Sequence, residues 1–483
     1  MIEDSQPVMF LGNPVSPKIV RKAQRMRTRY LRKYGYDPDT QYAMAAVENP
    51  VLGPALGVRN VVANAPGEPL DPGNGVLIGT IRMGYGHYRI AMAVASAAHA
   101  LGRTPYWFDL LGFDAPGARM IHDLDFWYSL GSRLSQQSRV FNRFVWEPLM
   151  GSAYRRLEKN YPIREVCAIF ANLHHGLPKT MPFLGTHPWC SHGAVHGAMQ
   201  RVVNLIPDNW PLGFHPAEGA LNTVQTPSAY TRFRTLAGMG PKHARPNAMP
   251  PDALALAGHY VDHDLVANAE TDCAARIARL DAQKPRRILL SVGGAGAQRQ
   301  LYTGIIRTLL PYVRDGAVTL FVNFGDHAAF FEHIAQVVPE FGEAATVHRN
   351  WEDTRRAAAD TIDGGDAGLH AFLHEDTFAA VYTTNVLMRA CDVLLTKPSE
   401  LAFYPIPTVL LKRVGAHEAW GAIRAAELGY GTPECEDWPQ TAQLLRLVAE
   451  EDDFIRMACE RIPKLRDAGI FDGAYRAVEW AMG

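Results

Sequence analysis

The sequence predicts an α/β protein made of two Rossmann-like domains, each with a parallel β-sheet. An apolar strand, a glycine loop and a helix follow one another twice, first over 75–101 and again from Arg287 onward. Strand and helix patterns alternate after each of these units, which is typical of parallel sheets covered by helices. A further connection from the end of a strand to the start of a helix lies at 392–400. Ligands bind at such connections, so we expect the two domains to face each other across a ligand cleft.

The composition is that of a globular protein with more than one core. A chain of 483 residues is too long for a single core, and 47% apolar with 20% charged residues is ordinary for such proteins. The formal net charge of −1 gives no reason to expect nucleic acid as a partner. Six scattered cysteines, no apolar stretch of membrane-spanning length and an acidic start without a signal-peptide core predict a cytoplasmic protein.

A basic amphipathic helix is predicted near the N-terminus, over 16–35. Ser16 and Pro17 form a helix start, and apolar residues then recur on one face while Lys and Arg cover most of the rest. Two interpretations stay open. The helix packs on its own domain with a solvated basic face, or it attaches peripherally to an anionic membrane. The Pro-, Gly- and Asn-rich segment 36–74 is predicted to be mostly loop.

The first glycine loop contains Gly84, Gly86 and His87, and the helix after it is predicted to end at Gly102. Glycines let backbone N–H groups approach a phosphate or a sugar at a helix N-terminus. The loop is neither a Walker A sequence nor a dinucleotide fingerprint. An imidazole can accept a proton near neutral pH, so His87 is a candidate general base.

The segments between the two glycine loops are less specific. A buried strand is predicted over 166–171, and another over 202–208 that ends at the carboxylate of Asp208, for which a cap or turn role is the alternative. Three His and one Cys within 187–196 suggest zinc, but no fourth ligand follows at a recognisable spacing, so we predict no metal site. Aromatic residues over 126–146 fit ligand contact or plain packing, and the polar stretch 344–370 suggests an insertion.

The second glycine loop, 293–298, follows the strand that starts at Arg287. A buried strand at 393–395 then stops before Lys397, with Ser399 as the expected N-cap of a helix and Glu400 in its first turn. After a further strand at 408–411 come a polar loop, 415–418, and a helix that ends near Gly429. A strand end that opens onto a helix N-terminus is where α/β proteins bind phosphorylated ligands.

These motifs resemble the GT-B fold glycosyltransferases, in particular glycosyltransferase family 28, which includes the monogalactosyldiacylglycerol synthases and the lipid I N-acetylglucosaminyltransferase. In that family an Asp-led apolar strand precedes a Lys, a Glu stands seven residues before a Pro, and Gly-Gln-Glu follows. Lys397, Glu400 with Pro407, and the Ala-His-Glu run at 416–418 lie at these positions. The loops 84–87 and 293–298 are similar to the family's two glycine loops. The departures from the family pattern are Ser399, Pro405 and His417.

The resemblance implies an inverting, metal-independent transfer of a sugar from a nucleotide diphosphate sugar, with a uridine diphosphate (UDP) sugar as the expected co-substrate and no cofactor. It places Gly84 and Gly86 in the acceptor-side loop, and either His87 or Asp208 is expected to be the base. The donor contacts that it implies are at Gly293, Gly294, Gly296, Gln298, Lys397, Ser399, Glu400, His417 and Glu418.

The expected division of the chain is an extension over 1–74, an acceptor domain over 75–262, a donor domain over 263–465 and a C-terminal helix over 466–483. In the resembling fold the last helix commonly crosses back to the first domain. The expected acceptor is a hydroxyl of a lipid or of a small molecule. Two other functions stay open: an enzyme of the same fold that resembles UDP-sugar 2-epimerases, and a non-catalytic homologue that binds a nucleotide.

Overall fold

The computed structural model describes residues 7–124, 155–240, 245–294, 296–365, 367–415 and 418–483. The chain divides into two compact units. The first unit is drawn from 1–83, 97–257 and 475–483, and the second comprises 84–96 and 258–474. The first glycine loop and the first part of its helix therefore belong to the second unit.

The first unit is built around one large sheet. Its strands in the described ranges are β1 (Met9–Phe10), β2 (Asn13–Pro14), β3 (Met44–Glu48), β4 (Arg59–Ala63), β5 (Gly75–Thr80), β6 (Thr104–Asp109), β7 (Phe183–Gly185), β8 (Val202–Leu205), β9 (Leu221–Val224) and β10 (Leu254–Leu256). The order β10-β9-β8-β7-β5-β6-β4-β3 forms the sheet, and β1 pairs with β2 separately. All neighbours in the large sheet are parallel except β3 and β4.

The second unit contains a parallel sheet. Its described strands are β11 (Arg286–Ser291), β12 (Val318–Gly325), β13 (Thr346–His348), β14 (Leu369–Leu373), β15 (Val393–Thr396) and β16 (Thr408–Leu410). Their order is β13-β14-β12-β11-β15-β16, and every neighbouring pair is parallel. This confirms the predicted fold class of two Rossmann-like, parallel-sheet domains.

Helices connect the strands, as parallel pairing requires. Those in the first unit are Pro17–Lys33, Gly53–Leu56, Leu157–Val166, Pro188–His196 and Pro227–Arg234, with Gly86–Ala100 and Gly473–Met482 each divided between the units. Those in the second unit are His263–Ala267, Ala269–Asp281, Arg299–Arg314, Ala328–Val337, Pro339–Ala344, Trp351–Ile362, Thr377–Ala390, Ala419–Leu428, Trp438–Glu450 and Asp453–Asp467.

The central strands are apolar because both faces of each sheet are covered. All six residues of β5 are buried, and so are the last five of β11. Tight packing explains why position 79 in β5 is a glycine. A Cβ added to Gly79 would overlap the ring of Phe183 and come within 3.1 Å of the Cys190 Cβ. The two central strands are therefore enclosed by the cores of their units.

Each sheet has one point at which the strand order reverses. In the second sheet, β11 has β12 on one side and β15 on the other, and in the first sheet β5 lies between β6 and β7. Ligands of open α/β sheets bind outside the carboxyl ends of the strands at such a switch point. The loops that follow β11 and β15 include 293–298 and 397–400, and the loop that follows β5 includes Gly84 and Gly86.

The N-terminal helix forms as predicted. The Ser16 Oγ accepts a hydrogen bond from the backbone N–H of Ile19, which caps Pro17–Lys33. Its apolar face is covered, because Ala23 is buried and partly buried neighbours pack against two apolar clusters of the first unit. The basic face is exposed at Lys18, Arg21, Lys22 and Arg25. Packing of the apolar face on the protein accounts for the helix pattern.

The segment 36–74 is mostly loop, as predicted, but it also contains β3 and β4, an antiparallel pair at the edge of the first sheet. Its Pro and Gly residues mark the connections, while the strands are too short to dominate the composition.

The strand predicted over 166–171 is wrong. These residues belong to the end of a helix and to the 3₁₀ helix Cys167–His174, whose eight residues are all buried. A short apolar run cannot distinguish these structures by periodicity.

The stretch 344–370, predicted as an insertion, contains β13, the helix Trp351–Ile362 and the start of β14, so part of it belongs to the second sheet. The edge position of β13 explains its polar sequence, since one of its two sides has no neighbouring strand. The aromatic segment 126–146 lies outside the described residues. No helix in the described ranges has the length and apolar character that a bilayer crossing needs.

Candidate functional site

The second glycine loop is held at the end of β11. The Tyr302 hydroxyl donates to the backbone oxygen of Ser291 at 3.0 Å, which fixes the helix Arg299–Arg314 on the strand end. Gly296 and Gln298 both have positive φ angles, +56° and +64°, so the chain turns tightly before the helix starts. The Gln298 side chain donates to the backbone oxygen of Lys412 at 2.8 Å. Gln298 therefore joins this loop to the strand end beyond β16.

The loop after β15 lies against the second glycine loop. A Cβ added to Gly293 would lie 2.9 Å from the Cε of Lys397. The Lys397 ammonium forms an ion pair with Glu418 Oε1. The other oxygen of Glu418 accepts from the backbone N–H groups of Val414 and Gly415, at 2.7 and 3.1 Å. Glu418 thus holds the backbone at Val414 and Gly415 and at the same time neutralises Lys397.

The prediction that Ser399 caps a helix is wrong. Its side chain makes no capping hydrogen bond, and only the short 3₁₀ helix Glu400–Phe403 follows. A full helix cannot form here because Pro405 and Pro407 lie just beyond, and each disfavours helical backbone at the preceding residue. His417, another predicted donor contact, lies outside the described residues.

Glu400 contacts the first glycine loop. A Cβ added to Gly86 would lie 2.8 Å from Glu400 Oε2 and closer still to Oε1, so the carboxylate lies directly against this glycine. Gly86 is the first residue of Gly86–Ala100, and a helix N-terminus attracts negative charge. His87, half-buried, follows in the first turn of the same helix. In this structure the chain's own carboxylate therefore occupies the position in which a ligand anion would be favoured.

Three further residues of this region were missed by the sequence analysis. Tyr85, between the two glycines, is buried and its hydroxyl donates to Asp326 Oδ1 and accepts from the Asp326 backbone N–H at 2.9 Å. His327 Nε2 lies 3.2 Å from the backbone oxygen of Gly293. Asp326 and His327 directly follow β12, and polar residues at the carboxyl end of a parallel strand were the signal that could have found them.

A buried polar network lies behind this loop. The Arg89 guanidinium donates to Asn385 Oδ1. The Asn385 amide donates to Asp262 Oδ2 at 2.8 Å, and the Tyr404 hydroxyl donates to the same oxygen at 3.0 Å. Asp262 Oδ1 has no hydrogen-bond partner among the described residues. Burial raises the pKa of Asp262 to about 6, although both hydrogen bonds favour the ionised form.

Asp208, the other predicted base, belongs to the first unit. It follows β8, and its Oδ2 lies 3.5 Å from Nε2 of the buried His215. His215 is a fourth residue that the sequence pattern did not indicate. The Asp208 side chain is 28% exposed, so the carboxylate remains open to solvent while the imidazole fixes its orientation.

The contacts of the His- and Cys-rich segment 187–196 support the local fold. His187 caps the helix Pro188–His196, its Nδ1 accepting from the backbone N–H of Trp189 at 3.1 Å. Burial lowers the pKa of His192 to about 3. His196 Nε2 contacts the backbone oxygen of Arg164 at 2.9 Å. Within the described ranges, no group of three or more His, Cys, Asp and Glu residues has an arrangement that could hold a metal ion.

A cavity of about 390 Å³ lies elsewhere in the second unit. Its walls come from the helices His263–Ala267, Trp351–Ile362 and Thr377–Ala390, together with Asp262. None of the residues predicted to bind a ligand lines it. The cavity and the converging glycine loops are therefore different features of the unit.

Comparisons with protein families match the chain in two parts. Residues 9–235 match a domain of unknown function, DUF6937, and residues 249–482 match a second domain of unknown function, DUF6938. Comparison with curated protein sequences gave no significant match.

Solved structures with similar folds include three whose alignments cover most of this chain and nearly all of their own. The UDP-GlcNAc 2-epimerase from Neisseria meningitidis bound to UDP-GlcNAc is 9% identical, with 84% of this chain and 98% of that chain covered and a TM-score of 0.44. An α,α-trehalose-phosphate synthase (UDP-forming) from Burkholderia vietnamiensis is 13% identical, with 86% and 98% covered and a TM-score of 0.40. A glycosyltransferase from Rickettsia africae is 11% identical, with 84% and 97% covered and a TM-score of 0.41. Identities and TM-scores this low carry no information about substrate or reaction in this chain.

Proposed function

We propose that this protein is an inverting, metal-independent glycosyltransferase that moves a sugar from a nucleotide diphosphate sugar, a UDP-sugar in the first instance, to an acceptor hydroxyl. In the reaction the acceptor oxygen bonds to the anomeric carbon as the bond from that carbon to the diphosphate breaks. The hydroxyl proton passes to a base on the protein, and the nucleoside diphosphate leaves.

The observation that supports this proposal is the meeting of three loops at the switch point of the second sheet. The loop 293–298 follows β11, the loop 397–400 follows β15, and a methyl group at Gly293 would touch Lys397. Gly86 of the first glycine loop lies against Glu400. The same three loops carry the sequence resemblance to the glycosyltransferases, so topology and motif agree on one location.

The leaving diphosphate carries about two negative charges, which the site must stabilise. Two helices, Gly86–Ala100 and Arg299–Arg314, begin directly after the glycine loops, and their free N–H groups favour anions. Lys397 is the nearby cation of the loop after β15, and its present partner is Glu418. On ligand binding we expect the ammonium to exchange part of this ion pair for a phosphate oxygen.

Glu400 is proposed to accept hydrogen bonds from the ribose hydroxyls. In this structure its carboxylate lies against Gly86, so a ligand phosphate at the same helix N-terminus would have to displace it. Moving from the helix end to a ribose would give the carboxylate hydroxyl donors and leave the helix N-terminus open to the diphosphate. We propose that this exchange accompanies donor binding.

His87 is proposed as the general base, because it stands in the first turn of the helix whose N-terminus meets Glu400. Asp208, oriented by His215, is the competing base. The acceptor is proposed to be a lipid or a small molecule with a free hydroxyl. Contact of the exposed basic face of Pro17–Lys33 with an anionic membrane would suit a lipid acceptor.

The test is a reaction of the full-length protein with UDP-sugars in the presence and absence of an acceptor panel of lipids and small alcohols. The proposal expects release of UDP together with a new glycoside, and only when an acceptor is present. Formation of the 2-epimer without acceptor, or nucleotide binding without turnover on any member of the panel, would contradict it.

A further inference from the structure

The first glycine loop straddles the end of β11. On one side Tyr85 contacts Gly325 and Asp326, at the end of β12. On the other side Gly86 contacts Glu400, beyond β15. The switch-point crevice of this sheet lies between β11 and β15. The Tyr85 ring therefore packs on the β12 side of β11, and the crevice between β11 and β15 lies on the other side of that strand.

The slot that receives Tyr85 is made by glycines. A Cβ added to Gly294 would lie 2.6 Å from the Tyr85 backbone nitrogen. A Cβ added to Gly325 would lie 2.9 Å from the Tyr85 Cε2 and closer still to its hydroxyl. Gly325 also has a φ of +62°, which disfavours other residues. Any side chain at these two positions would push the tyrosine out, so the slot is shaped for one ring.

The hydroxyl of Tyr85 is held from two directions by one residue. It donates to the Asp326 carboxylate and accepts from the Asp326 backbone N–H at 2.9 Å. A hydrogen bond to a carboxylate is stronger than one between neutral groups. The ring lies 5.9 Å from the His327 ring, and His327 in turn contacts the Gly293 backbone oxygen at 3.2 Å. The tyrosine is thereby tied to the second glycine loop.

We propose that Tyr85 is a positioning residue for the donor diphosphate, an inference that rests on the proposed function. Its ring and hydroxyl anchor the glycine loop, and the anchored loop aims the N–H groups of the helix that starts at Gly86 toward the crevice. Tyr85 itself does not touch the ligand. Tyr85 acts through the N–H groups that contact phosphate. It therefore affects the affinity for the diphosphate part of the ligand and leaves the affinity for the nucleoside part unchanged.

The test compares the full-length variant Tyr85→Phe with the wild type by calorimetric titration of UDP and of uridine. Loss of the hydroxyl should weaken UDP binding about tenfold or more, the size of a lost hydrogen bond to a charged group. Uridine affinity should stay the same, which a merely structural disturbance would not produce. Asp326→Asn removes only the charge of the acceptor, so it should weaken UDP binding less than Tyr85→Phe does, and the double variant should be no worse than Tyr85→Phe alone.

The matched control is Tyr312→Phe. Tyr312 also donates to a carboxylate, that of Glu450, at an exposed position of the same unit. This control should leave UDP affinity unchanged. Equal UDP affinity in Tyr85→Phe and wild type would overturn the proposal, and tighter UDP binding would do so as well, since it would mean that the tyrosine blocks the ligand. If the wild-type protein binds no nucleotide, the proposed function is contradicted, and the role proposed for Tyr85 is contradicted with it.

Discussion

Gly293 and Lys397 lie so close that a Cβ on the glycine would come within 2.9 Å of the lysine Cε, although they are far apart in the sequence. Their strands, β11 and β15, are parallel neighbours, and both loops leave the sheet at the same edge. The lysine stem therefore packs along the glycine loop. The ammonium group is paired with Glu418 in this structure, and the proposed function has it exchange part of that ion pair for an anion bound at the loop.

Replacing Lys397 with Met tests this relationship, because the change keeps the packed stem and removes the charge. We expect UDP affinity to fall about tenfold or more through loss of a charge-assisted contact, with uridine affinity unchanged. Glu418 keeps its two backbone N–H partners, so the loop should stay folded. Calorimetric titration measures both affinities. Lys412→Met, an exposed lysine in the same unit, is the control, and an equal loss in both variants would reject a specific role for Lys397.

Replacing Gly325 with Ala should expel Tyr85 from its slot. Gly316 is the matched control, because it has a similar φ of +72° with no atom within 4 Å of an added Cβ. The control should cost about 1–2 kcal/mol of unfolding free energy from backbone strain alone. Gly325→Ala should cost more and should also weaken UDP binding. Denaturant unfolding and calorimetry give the two quantities, and identical results for both variants would show that the slot has no such role.

Asp262 should make the protein less stable as the pH rises from about 4 to about 6. Its pKa is raised from 3.8 to about 6 by burial, so in this range the folded state binds the proton more tightly than the unfolded state. The stabilisation is complete below pH 4 and is lost as the pH passes 6. The difference of about two pKa units corresponds to about 3 kcal/mol.

Asp262→Asn isolates this effect from other titrating groups. Its unfolding free energy, measured by denaturant at several pH values, should not show the decline, so the difference between the two proteins should change by about 2–3 kcal/mol between pH 4 and pH 6. Asp264→Asn, at an exposed neighbouring carboxylate, should follow the wild type. A constant difference between wild type and Asp262→Asn across this range would mean that Asp262 does not titrate as described.

Replacing His87 with Ala should reduce turnover by about 10²–10⁴-fold, the usual contribution of a general base. Donor affinity should change little. His99, in the last turn of the same helix, is the control position, and His99→Ala should retain turnover. Steady-state rates at saturating UDP-sugar give the comparison. If Asp208→Asn loses turnover while His87→Ala keeps it, the base is Asp208 and His87 has another role.

The larger part of the second unit could be predicted from sequence because its signals are local. The apolar runs of β11 and β15 and the positions of Gly86 and Gly429 specify strands and helix ends without knowledge of partners. The helix Ala419–Leu428 does end at Gly429, which has a φ of +84°. Parallel pairing then brings the loops after β11 and β15 to one edge of the sheet. The proximity of Gly293 and Lys397 could therefore be predicted from the sequence.

What could not be predicted depends on contacts between distant segments. The slot for Tyr85 needs Gly294 and Gly325 together, and neither glycine alone distinguishes a ligand loop from a docking surface. The interaction of Glu400 with Gly86 is of the same kind, since the family pattern implied a ribose contact. Likewise the short β3 and β4 are strands only because an existing sheet edge at β6 receives them.

Hydrogen–deuterium exchange of the full-length protein with and without UDP shows directly whether the second unit binds a nucleotide diphosphate at its switch point. Bound UDP should slow the exchange of backbone amides at 84–88, 293–298 and 397–403. Slowed exchange confined to other segments, with these three unchanged, would contradict binding at the switch point.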